Sequence, residues 1–281
     1  MGRQPLSWLA SLVLTGMAAV SSPAMAYDPL NRAEYLATIK EAEAYYKDKC
    51  EKVAGIRIYK TVPDVEGVLL MKIRPERGDR ELSDPFWPGA AFGGEFYGDS
   101  YIRTFLGYEY RATDKNGVMS SVRGYINTDK RPGGLPGYRW VEVPDPKDGQ
   151  RYRYKLEYKE VTHISSITIG GDGRPFTVKE NALDKIPSPS NTPPRYAVTF
   201  EDHVIPEERA LWVASSTVKV LDLKANEVLG EMARYAISYI HAPRQSMPWL
   251  NHSICPQMNV TSYAQSTRKF VDQILIPKKE K

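Results

Sequence analysis

The sequence predicts an α+β protein, predominantly antiparallel β-sheet, with an N-terminal and a C-terminal helix joined by one disulfide. Three observations predict it. Apolar residues recur at helical spacing near the N-terminus. Period-2 alternation and turn signals fill the middle. Two cysteines, Cys50 and Cys255, stand far apart in a chain of 281 residues.

The chain opens on a segment that stands outside this fold. Arg3 supplies positive charge, residues 8–20 are mostly apolar, and Ala24-Met25-Ala26 is the small-x-small pattern of a cleavable export signal. The apolar stretch runs to about 13 residues, short of the ~20 that span a bilayer. Pro23 closes it, and no cysteine stands at the cleavage point to take a lipid. Residues 1–26 are therefore read as a signal peptide, which places the mature chain in the periplasm or outside the cell, with no integral membrane span. In an oxidising compartment two thiols in one chain are most simply a disulfide. A catalytic thiol would need a nearby base or a helix N-terminus, and neither position shows one. Closing a loop of roughly 200 residues is worth on the order of 5 kcal/mol in the chain-entropy picture.

The first helix follows. Asp28 is placed as its N-cap and Pro29 at its first turn. Tyr35, Ile39, Ala42, Tyr46, Cys50 and Val53 are spaced by three or four residues, one helical face, and Gly55 ends the run. Cys50 lies on that stripe, so its bond points to the core. From residue 56 the texture becomes β, with strands expected at 56–62 and 65–73 around Pro63. Residues 101–113 and 118–128 flank Asp114-Lys115-Asn116-Gly117, whose Asn-Gly pair favours a tight hairpin turn. Residues 138–143 and 151–160 continue the pattern. In the latter, Arg151, Arg153, Lys155, Glu157 and Lys159 alternate with Tyr152, Tyr154, Leu156 and Tyr158, the order of a half-buried antiparallel strand. Residues 163–169 and 176–179 bracket a Gly-Gly-Asp-Gly turn.

Pro187 to Pro194, rich in proline and serine, reads as a linker. It divides residues 27–186, the helix and β-rich region, from residues 195–281, a β-hairpin and helix region packed on the N-terminal helix. Strands are expected there at 195–201, 211–223 and 228–240, and a final helix at 263–275 behind a Ser262/Gln265 capping box.

Composition bounds the chemistry. Hydrophobic residues make up 42% and charged residues 26%, enough for a large core. A net charge of +4 is too balanced to argue for nucleic acid. No phosphate loop, dinucleotide fingerprint, zinc-protease motif, nucleophile elbow or Cys-x-x-Cys occurs. The sequence therefore assigns no catalytic residue, no metal site and no cofactor. Glu201-Asp202-His203 with Glu207 and Glu208 is the most polar constellation, but neighbouring strand residues face opposite ways, so Asp202 and His203 do not converge.

The most unusual segment is 86–110, where aromatic residues crowd a Gly/Pro-rich stretch. Trp87, Phe92, Tyr97 and Tyr101, with Trp249 beyond, are the candidate binding residues, since rings on a loop suit a sugar, an apolar ligand or a partner surface. The plainer reading makes 101–110 a core strand and 86–97 a loop folded over the sheet. The function these readings imply is an exported, non-enzymatic envelope protein that binds an envelope protein or glycan through its aromatic-rich loop. The alternatives are a periplasmic hydrolase assembled from distant residues, His203 among them, and a structural subunit of an envelope complex.

Overall fold

The computed structural model describes residues 32–165, 172–238, 247–250 and 252–279. The predicted leader, the Asp28 cap, the last residues of the 228–240 strand, the end of the 163–169 strand and the first two residues of the Gly-Gly-Asp-Gly turn lie outside the described residues. In chain order the elements are α1 (Arg32–Lys52), β1 (Gly55–Ile58), β2 (Val62–Val65), β3 (Gly67–Leu70), α2 (Asp79–Ser83), α3 (Gly98–Leu106), β4 (Tyr108–Tyr110), β5 (Tyr125–Asn127), β6 (Trp140–Pro144), β7 (Arg151–Ile164) and β8 (Pro175–Pro187). They continue with β9 (Tyr196–His203), α4 (Pro206–Ala210), β10 (Val213–Asp222), β11 (Glu227–Ser238), β12 (His252–Cys255), α5 (Ser266–Val271) and β13 (Leu275–Pro277).

The architecture is α+β, built on one mixed sheet in the order β1-β11-β10-β9-β3-β6-β7-β8, with β12 also on β11. Pairing is antiparallel except at β3, which runs parallel to both β6 and β9. Residues 187–194 carry the chain from β8, at one edge, to β9 inside the same sheet.

Alternation along the strands separates two cores. On one face Ala214, Val218, Val220, Met232 and Ala236 meet Trp87, Phe92, Tyr101, Phe105 and Phe270 in the main core. On the other, Val213, Tyr235, Ile237 and Cys255 are covered by Ala42, Tyr45, Tyr46 and Cys50 of α1. The helical stripe read from the sequence is thus the face that docks. Glu208 of α4 fastens the same contact, accepting hydrogen bonds from Ser215 Oγ at 2.8 Å and from the Tyr45 hydroxyl at 3.2 Å. Burial, with Glu208 alongside, pushes the Tyr45 hydroxyl up to about 12.

One edge of β11 is shared end to end. β1 pairs with it from Ile58 opposite Gly230 to Gly55 opposite Ala233, and β12 takes over from Cys255 opposite Tyr235 to His252 opposite Ser238. Arg234 is the residue at which the neighbour changes. The Cys50–Cys255 disulfide, with Cα atoms 5.7 Å apart, closes this junction, tying the last turns of α1 to the end of β12.

Several local expectations are corrected. Residues 101–113 were expected as a strand, yet α3 ends at Leu106 and only Tyr108–Tyr110 is extended. Tyr101, Ile102, Phe105 and Leu106 repeat with helical spacing and are all buried, so the 3.6-residue period outweighs their β-prone composition. Gly107 ends the helix where a Cβ would stand 2.8 Å from the Asn127 carbonyl oxygen. The Asp114–Gly117 turn forms, with Asp114 Oδ1 accepting from the Asn116 and Val118 amides and Gly117 at φ +79°. Its flanks are exposed, and ladder pairing is confined to β4 with β5 and a single Thr113–Met119 bridge. The hairpin expected across the Gly-Gly-Asp-Gly turn forms with longer arms: β7 and β8 pair antiparallel from Tyr152 opposite Pro187 to Ile164 opposite Pro175, so the strand expected at 151–160 and the start of the one expected at 163–169 are one element. The final helix is shorter than expected: a 3₁₀ turn at Tyr263–Gln265, then α5, then β13. Ser262 makes no capping bond, because Gln265 turns inward and brackets Ile126, its Oε1 accepting the Ile126 amide at 2.8 Å and its Nε2 donating to the carbonyl at 2.6 Å. The strand expected at 56–62 stops at Ile58, and Val62–Val65 pairs instead with β13.

The disulfide spans a sequence separation of 205 residues. Replacing both cysteines by serine is expected to lower unfolding stability by about 2–5 kcal/mol, read as a drop in the denaturant midpoint at unchanged slope. A midpoint within error of the parent would show that the junction holds without its covalent tie.

Candidate functional site

The five aromatic candidates fall mostly inside the molecule. Trp87, Phe92, Tyr101 and Trp249 are buried in the main core and Tyr97 is half-buried, so they do not make a continuous exposed surface. Trp249 donates its indole N–H to the Asp84 carbonyl at 2.8 Å and packs on Trp212. Gly93 lets the chain pass it, for a Cβ there would stand 2.2 Å from the Trp249 carbonyl oxygen. Tyr97 lies under the Arg77 guanidinium, 4.7 Å from its ring centre. The rings this segment shows to solvent are Phe86 and Phe96.

Phe92 has a second role. The Arg74 and Arg234 guanidinium groups each lie 4.1 Å from its ring centre, and Arg74 also lies 3.7 Å from Phe200. Aromatic faces support a cation, more so where water is excluded. Around them is a buried polar cluster. Arg74 donates Nη1 to both Asp202 oxygens at 2.7 and 2.9 Å, and Nε to Glu95 at 3.3 Å. Ser216 donates its hydroxyl to Asp202 at 2.6 Å. Glu95 accepts from the Thr267 amide at 2.6 Å and the Thr267 hydroxyl at 2.8 Å. Burial works against the Arg74 charge, but Asp202 and Glu95 outweigh it and its pKa ends above the ordinary value. Burial raises that of Glu95 despite Arg74, Arg234 and Thr267.

Arg234 is treated differently. It is 2% exposed. Its Nη2 reaches the Met258 sulfur at 3.8 Å, a weak acceptor, and its Nε has no hydrogen-bond partner among the described residues. Among the described residues no carboxylate ion-pairs with it. Its pKa is lowered to about 10, chiefly by burial, with Glu95 resisting and Arg74 adding to the fall. An unpaired buried cation is one of the more expensive arrangements a fold can hold.

Beside it is an open cavity of about 320 Å³ lined by Arg234, Phe92, Glu95, His252, Ile254 and Tyr263, with Leu250 and Gln257 at its exposed margin. The strands explain who faces it. Arg234 shares the main-core face of β11 with Met232 and Ala236, and His252 shares that of β12 with Ile254. The turn after Phe92 brings Glu95 across from the helical layer. His252 Nδ1 is enclosed and has no hydrogen-bond partner among the described residues. Burial, helped by the Arg234 charge, lowers the imidazole pKa to about 4, so it is neutral at pH 7. The arrangement joins a hydrogen-bond-hungry cation, a neutral imidazole and apolar walls in a space of the size that takes a small molecule.

Sequence reasoning selected Phe92 but missed Arg234, Arg74, Glu95 and His252. The one local signal is Arg234 itself, a charge at a core-facing position between Met232 and Ala236. The Glu201–His203 constellation divides as its alternation predicts. Asp202 turns into the buried cluster, while His203 bonds Thr217 at 3.1 Å on the other face. Among the described residues no three His, Cys, Asp or Glu side chains gather as a metal site. No helix there is long and apolar enough to cross a membrane. Comparison with protein-family models, curated proteins and solved structures finds no match.

The depressed His252 pKa fixes a pH dependence. Between pH 6.5 and about 4 the unfolded chain binds a proton that the folded chain refuses, so stability falls as pH drops through that window. Replacing His252 with leucine is expected to remove roughly 2 kcal/mol of that fall, the linkage for about 1.4 kcal/mol per unit discounted for partial exposure. Thermal melts of both proteins from pH 7 to 4 check it; parallel curves would refute the buried neutral imidazole.

Proposed function

We propose that this chain is an exported binding protein of the bacterial envelope, and that the cavity between β11, β12 and the turn after Phe92 holds its ligand. The observation that carries the reading is Arg234: a guanidinium almost wholly withdrawn from water, without an acidic partner among the described residues, lining an open cavity. A fold gains little from such a group by itself, and its place on the wall of an open cavity is what favours a binding use. The aromatic segment serves this reading from within. Phe92 forms part of the wall and supports both guanidinium groups, and Trp249 fixes the backbone that leads into Leu250 and β12.

Export is supported by the leader-like residues 1–26 and by the Cys50–Cys255 bond, which suits an oxidising compartment. Intact-mass analysis of the protein recovered from an osmotic-shock fraction is expected to give a chain beginning at Tyr27 with no free thiol. A full-length chain with two thiols, found in the cytosol, would contradict it.

Binding is tested by thermal denaturation of the full chain against small anionic, neutral and cationic organic compounds. At least one class is expected to raise the midpoint by several degrees at concentrations well above its dissociation constant. A Gln257→Trp variant, which makes an exposed rim residue bulky, is expected to lose that shift. A silent panel, or a shift that survives in Gln257→Trp, would remove the cavity as the binding site.

A further inference from the structure

The cavity wall narrows the ligand's chemistry. A guanidinium carries five N–H donors in one plane and matches the two oxygens of a carboxylate. At Arg234, among the described residues, Nη2 reaches only a thioether sulfur and Nε has no partner, while the flat face of the group lies on the Phe92 ring. Glu95, on the same wall, does not fill the need, because its oxygens are taken by Thr267 and by Arg74. Its negative charge also sets a limit: a ligand with two charges would be repelled by Glu95 more than a ligand with one. The uncharged part of the ligand meets Phe92, Ile254 and Tyr263, which are apolar or aromatic. Leu250 and Tyr263 are exposed at the margin, leaving a path for entry.

We infer that the cavity takes a small organic monocarboxylate, its oxygens against the Arg234 guanidinium and its apolar body among Phe92, Ile254 and Tyr263. The inference rests on the cavity being the binding site proposed above. His252 sits where it can hydrogen-bond the ligand without adding charge, since it is neutral at pH 7. The geometry discriminates against amides and amines. A neutral amide supplies one oxygen and no charge, and an amine brings a second cation next to Arg234.

The test is calorimetric titration of the full chain at pH 7 with benzoate, benzamide, phenyl phosphate and benzylamine. Benzoate is expected to bind at least about tenfold more tightly than benzamide, the scale of one charge-assisted hydrogen-bonded contact. Phenyl phosphate is expected to bind less tightly than benzoate, and benzylamine not at all. In Arg234→Met the benzoate affinity is expected to fall to the benzamide level, and in Arg234→Lys part of the preference is expected to return. Equal affinity for benzoate and benzamide in the parent, or a preference that persists in Arg234→Met, would overturn the carboxylate assignment. If all probes bind alike and Gln257→Trp abolishes them, the cavity stands as a site and only the assignment falls. Heat from none of the four removes both. Should Arg234→Met fail to fold, the parent's benzoate-to-benzamide ratio and the Arg234→Lys variant still decide.

Discussion

The place where β11 exchanges one neighbour for another governs the rest of this molecule. β1 occupies its edge up to Ala233 and β12 from Tyr235 onward. Two short strands cannot hold such a junction by ladder hydrogen bonds alone, since each contributes only a few. The Cys50–Cys255 bond makes it permanent, and α1 covers the opposite face around Tyr235 and Ile237. With the junction fixed, Arg234 is held at the break, and His252 and Ile254 stand beside it on the same face. The covalent tie and the cavity are therefore one construction seen from the two sides of the sheet.

The main-core face carries more charge than a folding argument alone would favour. Arg74, Glu95, Asp202 and Arg234 are withdrawn from water together, with Ser216 and Thr267 supplying further hydrogen bonds. Arg74 has its charge paired: two carboxylates face it and two aromatic rings hold its plane, although its Nη2 has no partner among the described residues. The two arginines on one aromatic ring differ in that Arg74 has carboxylate partners and Arg234 has none among the described residues. Some buried charges elsewhere are paired, as where Arg123 meets Glu109 and Asp272, and Arg268 meets Asp272 and the Thr104 and Phe105 carbonyls. Arg209 is not: it donates to the His203 carbonyl while its Nε and Nη1 have no partner among the described residues, so it is the open cavity beside Arg234 that sets Arg234 apart.

Much of the fold was legible because it is written in local periods. The stripe through Ala42, Tyr46 and Cys50 is a docking face, and the alternation at 151–160 is β7, with Tyr152, Tyr154 and Leu156 packed on the core. Where composition and period disagreed, period decided: Tyr101, Ile102 and Phe105 look β-prone, but the buried residues of α3 repeat as a helix. The site was illegible for a different reason. Its contacts join residues far apart in the chain, 128 positions between Arg74 and Asp202 and 172 between Glu95 and Thr267. No spacing rule reaches that distance. Phe92 was selected as an exposed ring, and it matters instead as a buried one that two cations share. The capping box at Ser262 failed likewise, because Gln265 found Ile126, 139 positions away.

The central claim is that Arg234 is retained for something other than the fold. Chemical denaturation of Arg234→Met, without added ligand, measures this most directly. Exchanging an unpaired buried cation for an apolar chain of similar reach is predicted to leave the unfolding free energy unchanged within about 1 kcal/mol, or to raise it. A loss of about 3 kcal/mol or more, the scale of breaking a satisfied buried pair, would mean that the guanidinium is a structural partner after all, and the account of the cavity would fail.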